Sequence, residues 1–424
     1  MKSRRSFLQQ ISTLSLGLAS IPALSAPSFP SLPLDASPQQ AAKDEDFWFQ
    51  IRQAFDYSPN LINLNNGGVS PSPRVVQEAQ RHYQHMANEA PGYYMWRQLR
   101  PLREAVRREL ARLAGVESSE LALFPNATQA LETVILGLDL QPGEHVLTTD
   151  QDYPSMLHTL DLRNRRNGIV VDQIKIPVPA EDPEVVVQRF EEALTPQTKL
   201  ILVCHMVNLS GQILPIREIS EMAKRHGALV LVDGAHSFGQ LDFNVPDLGC
   251  DFFATSLHKW LNGPFGTGML YIKEELIPSI WPINGYPPEE QNQISKFEHQ
   301  GTLAIPAEVA LGTAIDFHDG IGIARKEARL RYLKDYWTQQ VVDLPGIHLA
   351  TSMKEEFSCA MATVSVADHS PLELLSRLQR EFQIYSTPIQ HEDIQGVRIS
   401  PSIYTSLGDL DHLVRALTKI AASK

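Results

Sequence analysis

The segment "SLHKWLNGPFGTG", residues 256–268, sets His258-Lys259 between an apolar run and a glycine-rich loop. A lysine amine there can hold an aldehyde as a Schiff base and exchange it for a substrate amine. Other polar groups also close short apolar runs. Asp233 ends "ALVLVD", Asn126-Ala127-Thr128 follow "LALF", His205 and Asn208 end "LILVCHMVN", and Ser256 and Lys259 follow "DFFA". Taken singly, each has an ordinary explanation. An Asp after a strand is commonly a turn residue, Asn-x-Thr before a helix commonly caps it, and a His-Lys pair commonly sits on solvated surface.

Together the groups fit one ligand, pyridoxal phosphate. Its aldehyde wants an amine, and its pyridine nitrogen wants a carboxylate that keeps it protonated, so that the ring can accept electrons from Cα. Its phosphate wants the N–H groups of a helix start, which the turn before "QALETVILGL" presents, with Ser256 and His258 as side-chain donors.

The elements that must position these groups alternate along the chain. "PLREAVRRELARLAGV" reads as an amphipathic helix with Leu102, Val106, Leu110 and Leu113 on one face. Short apolar runs such as "KLILVCHMVN", "ALVLVDGAHS" and "GTGMLYI" alternate with helical stretches such as "PIREISEMAKRHG", the pattern of α/β layers around a largely parallel sheet. In such a sheet, ligands gather beyond the carboxyl ends of the strands. After about Ala310 a long helical stretch and then mixed strands and helices predict a smaller α+β domain. The expected organisation is a signal segment 1–26, a flexible linker 27–45, a first piece of the small domain 46–80, a large domain 81–310 and the rest of the small domain 311–424.

The 26-residue spacing from Asp233 to Lys259, with "DGAHS", "SLHKWLNGPFGTG", "HQGT" and "RISPSIY", resembles the class V aminotransferase family of fold type I pyridoxal-phosphate enzymes. "LINLNNGGVSPSP" is similar to the isopenicillin N epimerase branch. The resemblance runs from about Leu61 to the C-terminus and implies a role for each matching residue. Lys259 is implied as covalent anchor and proton-transfer base, and Asp233 as partner of the pyridine nitrogen. His236 falls near the ring hydroxyl, Ala127, Thr128, Ser256 and His258 at the phosphate, Tyr153 stacked on the ring, and Asn208 at ring or substrate. Arg398 is implied to grip a substrate carboxylate with its planar fork, against the plainer reading of a surface salt bridge. Asn66 and Gly68 are placed at the substrate. Gly301-Thr302 is implied to reach the phosphate of a neighbouring subunit, hence a homodimer with shared active sites. His205 is as readily a buried structural histidine as a functional one.

Fold does not fix chemistry. Once Cα is deprotonated, the outcome can be transamination, the first expectation, then β-elimination of the C–S lyase type, then epimerisation. A protein that binds the cofactor or an amino acid without turnover stays open as another class. The cysteine desulfurase branch is set aside, because "EFQIYSTPIQHEDIQGVRIS" lacks the nucleophilic cysteine that branch carries before its carboxylate-binding arginine, and Cys359 reads as a core thiol.

The bulk composition bounds the rest. A net charge of −12 over 424 residues disfavours nucleic acid or an anionic membrane surface as partner. Cys204, Cys250 and Cys359 lack metal-type spacing, and no metal is expected. "SRRSFLQQ" followed by "ISTLSLGLASIPALSA" has the basic, apolar and small-residue order of a twin-arginine export signal, with cleavage near Ser25 or Ala26 and a periplasmic product. The run is too short and too rich in Ser, Gly and Pro for a stable membrane anchor.

Overall fold

The computed structural model describes residues 36–423. The signal segment lies outside them, as does the linker up to residue 35. Among the described residues no helix is long and apolar enough to cross a membrane.

The centre is a seven-stranded sheet of β2 (Leu121–Phe124), β3 (His145–Thr149), β4 (Val170–Ile174), β5 (Thr198–Cys204), β6 (Leu229–Asp233), β7 (Phe252–Ser256) and β8 (Gly268–Ile272), in the order β2-β8-β7-β6-β5-β3-β4. β4, β3, β5, β6 and β7 run parallel, while β8 is antiparallel to both β7 and β2. The continuous apolar runs of β5 and β6 suit strands covered on both faces. Successive side chains go to opposite sides. Ile201, Val203, Val230 and Val232 join the core on one face, and Leu200, Leu202 and Leu231 join the core on the other.

A second, antiparallel sheet is built from β9 (Ile347–Leu349), β10 (Ala362–Val366), β12 (Thr387–Gln390) and β13 (Gln395–Ile399), in the order β12-β13-β10-β9. The short β1 (Ile62–Asn63) pairs in parallel with β11 (Ile384–Tyr385), which ties the N-terminal segment to the C-terminal domain. Helices Pro371–Phe382 and Leu407–Ala422 close the core of this domain around Trp337, Val364, Val397 and Leu413.

Three expectations need correction. The end of the expected linker is ordered: Ser37 caps a short helix, Pro38–Ala42, whose Ala41 and Ala42 are buried and whose Ala41 carbonyl accepts the indole N–H of Trp48 at 2.7 Å. The divisions at 80 and 310 fall inside continuous helices, Arg74–Glu89 and Ile305–Ile321, which pack on each other. The helix Arg100–Ala114 forms, but Leu102 is 42% exposed. Its buried stripe is Arg103, Val106, Arg107, Leu110, Ala111 and Ala114, since the two arginines find buried carboxylates that the apolar pattern did not reveal.

Candidate active site

At the carboxyl ends of the parallel strands a cavity of about 450 Å³ opens between the two domains. β5 brings Cys204 to its floor, β6 brings Asp233, and β7 brings Ser256. The loop after β7 carries His258 and Lys259, the start of helix Ala127–Gly137 carries Asn126, Ala127 and Thr128, and Tyr153 and Pro154 open helix Pro154–Asn167. The small domain closes the other side with Arg398 of β13 and the wall Thr387, Pro388, Ile389 and Gln390 of β12. Gly67 and Gly68 enter from the N-terminal segment.

The loop that bears Lys259 is pinned from outside the sheet. The carbonyl of His258 accepts the Ser70 N–H at 3.0 Å, and Asn262, in the left-handed region at φ 59°, donates its side-chain amide to Ser70 Oγ at 3.0 Å. Ser72 Oγ donates to the Gly263 carbonyl at 2.8 Å. Gly268 must be glycine, because a Cβ there would stand 2.8 Å from both Asn126 Cα and the Thr255 carbonyl oxygen. That absence of a side chain lets β8 run against the helix start.

Among the described residues, the lysine, the aspartate and the arginine that face the cavity, Lys259, Asp233 and Arg398, have no ion-pair partner. Burial lowers the Lys259 amine to about 8, the Arg398 cation helps, and Asp233 opposes the shift. The hydrogen-bond contact of the Lys259 amine is His236 Nε2 at 3.4 Å. Burial raises Asp233 to about 6 against the hydrogen bond from Ala235 N–H and the attraction of Lys259, with repulsion from Asp152 adding to the rise. Arg398 is lowered to about 10 by burial, donates to the Asn208 carbonyl at 2.6 Å and to Asn65 Oδ1 at 3.3 Å, and keeps its Nε without a partner. Asn208 Oδ1 is also buried and unpartnered. Buried polar groups in proteins are nearly always satisfied, so this set calls for a ligand. The donor set fits pyridoxal phosphate: an amine, a carboxylate at the carboxyl end of the central strand β6, and a helix start. At that start Ser256 Oγ accepts the Ala127 N–H at 2.9 Å and Asn126 Oδ1 accepts the Gln129 N–H at 2.9 Å. His258 donates from Nδ1 to the Thr267 carbonyl at 3.0 Å.

Of the residues singled out from sequence, Ala127, Thr128, Tyr153, Asn208, Asp233, His236, Ser256, His258, Lys259, Arg398 and Gly68 line this one cavity. Asn66 does not. Its side chain is fully buried and spent internally, donating to the Asn63 and Ser400 carbonyls and accepting from Tyr404 Oη at 2.8 Å. The neighbouring Asn65 and Gly67 hold the positions facing Arg398 instead. Thr302 is exposed and lies outside the cavity, while its neighbour Gly301 borders a separate cleft with Arg103, Arg107 and Glu298. His205 is buried behind the floor against Phe243, with Nδ1 unpartnered and burial lowering it to about 4. Cys359 is fully buried in the core, and burial pushes its thiol up to about 12.

Two residues beneath the cavity were missed. Asp152 is buried and accepts from Thr148, Thr149 and the Cys204 N–H, the last at 2.7 Å, so it clamps the ends of β3 and β5 and adds negative charge behind Asp233. The signal was available, since "LTTDQD" also places carboxylates after an apolar strand. Trp260, next to the lysine in sequence, was not singled out, although its indole nitrogen lies 3.4 Å from His236 Nδ1.

Comparison with known proteins agrees with this geometry. The aminotransferase class-V family model matches residues 62–413. An isopenicillin N epimerase from Streptomyces clavuligerus is 31% identical over 388 residues, covering 87% of this chain and 97% of that protein. A probable cysteine desulfurase from Mycolicibacterium paratuberculosis is 27% identical over 386 residues, covering 85% of this chain and 55% of its own. Among solved structures, a cystine C–S lyase in complex with its product cysteine persulfide superposes with a TM-score of 0.77 at 24% identity, covering 85% of this chain and 98% of that one, a likeness of fold. The chain belongs to the class V aminotransferase family of fold type I pyridoxal-phosphate enzymes, and within it is similar to the isopenicillin N epimerase branch.

Proposed function

We propose that the protein removes the Cα proton of an α-amino acid, or of a metabolite containing one, whose carboxylate binds Arg398. The observation that carries this reading is Arg398 itself: a buried guanidinium with no carboxylate beside it and an unpartnered Nε, in the same cavity as an amine without an ion-pair partner. A buried cation without a counter-ion is costly, and a planar fork is matched to a carboxylate.

The cofactor, when bound, supplies the electron sink that makes a Cα proton acidic. The chain's own residues do the rest. Lys259 would anchor the cofactor, and its amine is the base placed to take the Cα proton. Asp233 pairs with the pyridine nitrogen, and its raised proton affinity makes that hydrogen bond stronger. Thr128, Ser256 and His258 receive the phosphate, whose charge restores the proton affinity that burial and Lys259 take from His258. Tyr153, at the opening of its helix, and Asn208, beside Arg398, line the same cavity and would help hold the ring.

Transamination is the first outcome we infer, followed by β-elimination and epimerisation, the last two being chemistries named for relatives of this chain. One experiment reads all three. The cofactor-loaded protein is incubated in D₂O with pools of amino acids and small peptides, and deuterium at Cα is measured with the products. A 2-oxo acid formed without free ammonia, the amino group staying with the holoprotein, marks transamination; a 2-oxo acid formed together with free ammonia and a released β-substituent marks elimination; and inverted configuration marks epimerisation. Failure of every substrate to exchange its Cα proton would favour a binding protein without turnover.

The same reading includes a homodimer in which Gly301-Thr302 of each subunit serves the other's phosphate site, and export through the twin-arginine pathway. The exposure of Thr302 outside its own cavity supports the first. Arg4-Arg5 ahead of an apolar run supports the second. The mass in solution tests one, and localisation after replacing Arg4-Arg5 with Lys-Lys tests the other.

A further inference from the structure

His236 lines the active-site cavity, yet the two ring nitrogens face different partners. Nε2 lies 3.4 Å from the Lys259 amine, and Nδ1 lies 3.4 Å from Nε1 of Trp260. An indole N–H only donates. Nδ1 must therefore be the acceptor, and the proton of the neutral ring sits on Nε2. The ring is buried, which together with the cations of Lys259 and Arg398 disfavours a second proton.

The surroundings hold both partners in register. Trp260 is 2% exposed, and its carbonyl accepts a hydrogen bond from the buried Lys326, which also approaches Asn262 Oδ1 and His318 Nδ1 at 3.4 Å each. On the other side, Gln240 donates to the His236 carbonyl and accepts the Ala360 N–H at 2.7 Å. Gly239, at φ 75°, leaves room for Trp260 and Leu261 to pass, since a Cβ there would stand 3.0 Å from Leu261 N. The loops bearing His236 and Lys259 are thus packed as one unit.

We propose that Trp260 is a positioning residue: by donating to Nδ1 of His236 it locks that ring with its proton on Nε2, so that His236 meets Lys259 as a donor and favours the neutral, nucleophilic amine. A donor facing an ammonium has nothing to bond to, whereas a donor facing a free amine makes a hydrogen bond. Without the indole N–H the ring can move its proton to Nδ1 and accept from the ammonium, which would raise the proton affinity of Lys259. The other groups facing that amine come from separate elements: Asp233 of β6, Cys204 of β5, Arg398 of β13 and the adjacent His258. The substitution leaves all four in place. The tautomer is a property of this chain alone; its consequence for anchoring rests on the cofactor reading above.

The test uses the full chain, stripped of cofactor and then reconstituted. In ¹⁵N-histidine-labelled protein, with His236 identified by its loss in H236Q, long-range ¹H–¹⁵N correlation is expected to show the proton on Nε2, and W260F to lose that fixed pattern. A wild-type proton on Nδ1 would overturn the proposal whether or not W260F folds. The rate at which pyridoxal phosphate forms its imine with the stripped protein, followed by absorbance against pH, should have its midpoint raised by about one unit in W260F. An unchanged midpoint would also overturn it. If pyridoxal phosphate forms no imine at all while the tautomer is as stated, the cofactor reading fails and the tautomer lock stands.

Discussion

Two buried clusters of charge lie at different places in this molecule. Where the helix Arg100–Ala114 meets the edge strand β2, Glu298 accepts from Arg103 at 2.5 Å, from Arg107 at 2.6 and 2.7 Å, and from the Leu123 N–H at 2.6 Å, while Glu308 takes Arg103 Nε at 2.6 Å. Every charge is answered: burial works against the charged forms, but hydrogen bonds and attraction outweigh it, so Arg103 and Arg107 bind their protons more tightly than usual and Glu298 less tightly. In the cavity the signs are reversed. Lys259 and Arg398 hold their protons less tightly, and Asp233 holds its own more tightly, because burial there outweighs the attractions that oppose it. Burial acts in both clusters, and the difference in what answers it teaches which cluster is complete. The first is built for the fold, and the second is complementary to something that arrives.

The comparison predicts that damage to each cluster appears in a different measurement. The largest effect is expected from Lys259→Ala: turnover falls by about 10⁴-fold or more, with an unchanged far-UV spectrum of the stripped protein. Activity within about tenfold of the parent would remove Lys259 from the chemistry.

Glu298→Gln should behave in the opposite way. It leaves two buried arginines facing a neutral amide, a loss of about 3–5 kcal/mol to be read by urea unfolding. A loss below about 1 kcal/mol would show that water already reaches that cluster, and the contrast between the regions would fail.

Arg398→Ala lies between the two. We expect about a hundredfold rise in KM for carboxylate substrates, equivalent to about 3 kcal/mol, with the visible spectrum of the bound cofactor unaltered. Equal losses of substrate and cofactor binding would mean that Arg398 ties the Asn208 carbonyl to the Asn65 side chain and does not receive a carboxylate.

The site was legible wherever a polar residue ends an apolar run, because strand ends and ligand positions coincide in a parallel sheet. Asp233, Lys259 and Thr128 were found that way. The family resemblance, by contrast, misplaced Asn66, because in "NNGG" adjacent side chains differ by contacts made more than 300 residues away, with Ser400 and Tyr404. It also missed the cavity wall of β12, whose lining role exists only once the small domain folds over the large one. Arg103 and Arg107 were invisible for a related reason. An apolar pattern marks a helix face as buried, but buried arginines interrupt that pattern, and the Glu298 that licenses them lies far along the chain. The domain divisions failed where helices Arg74–Glu89 and Ile305–Ile321 carry the chain across both drawn limits, since each is continuous in backbone and in packing.

The smallest expected effect is the sharpest probe of an incomplete site. In the folded, cofactor-free protein Lys259 titrates at about 8, below its ordinary 10.5. Between those values the unfolded chain binds more protons than the folded one, so stability rises with pH across that window, and below about 8 the full penalty is present. Lys259→Met removes the charge while keeping the volume. The variant should therefore be more stable than the parent at pH 7, by about 1–2 kcal/mol against a ceiling of about 3 from the shift. The advantage should shrink as pH rises through the window. Other buried lysines such as Lys326 contribute the same background to both proteins, so the difference isolates one amine. Asp233 works in the reverse direction: its folded value of about 6 lies above the ordinary 3.8, and its contribution is lost as pH rises through that range. If Lys259→Met is no more stable than the parent at any pH, the amine is answered by the protein itself, and the cavity is as complete as the cluster around Glu298.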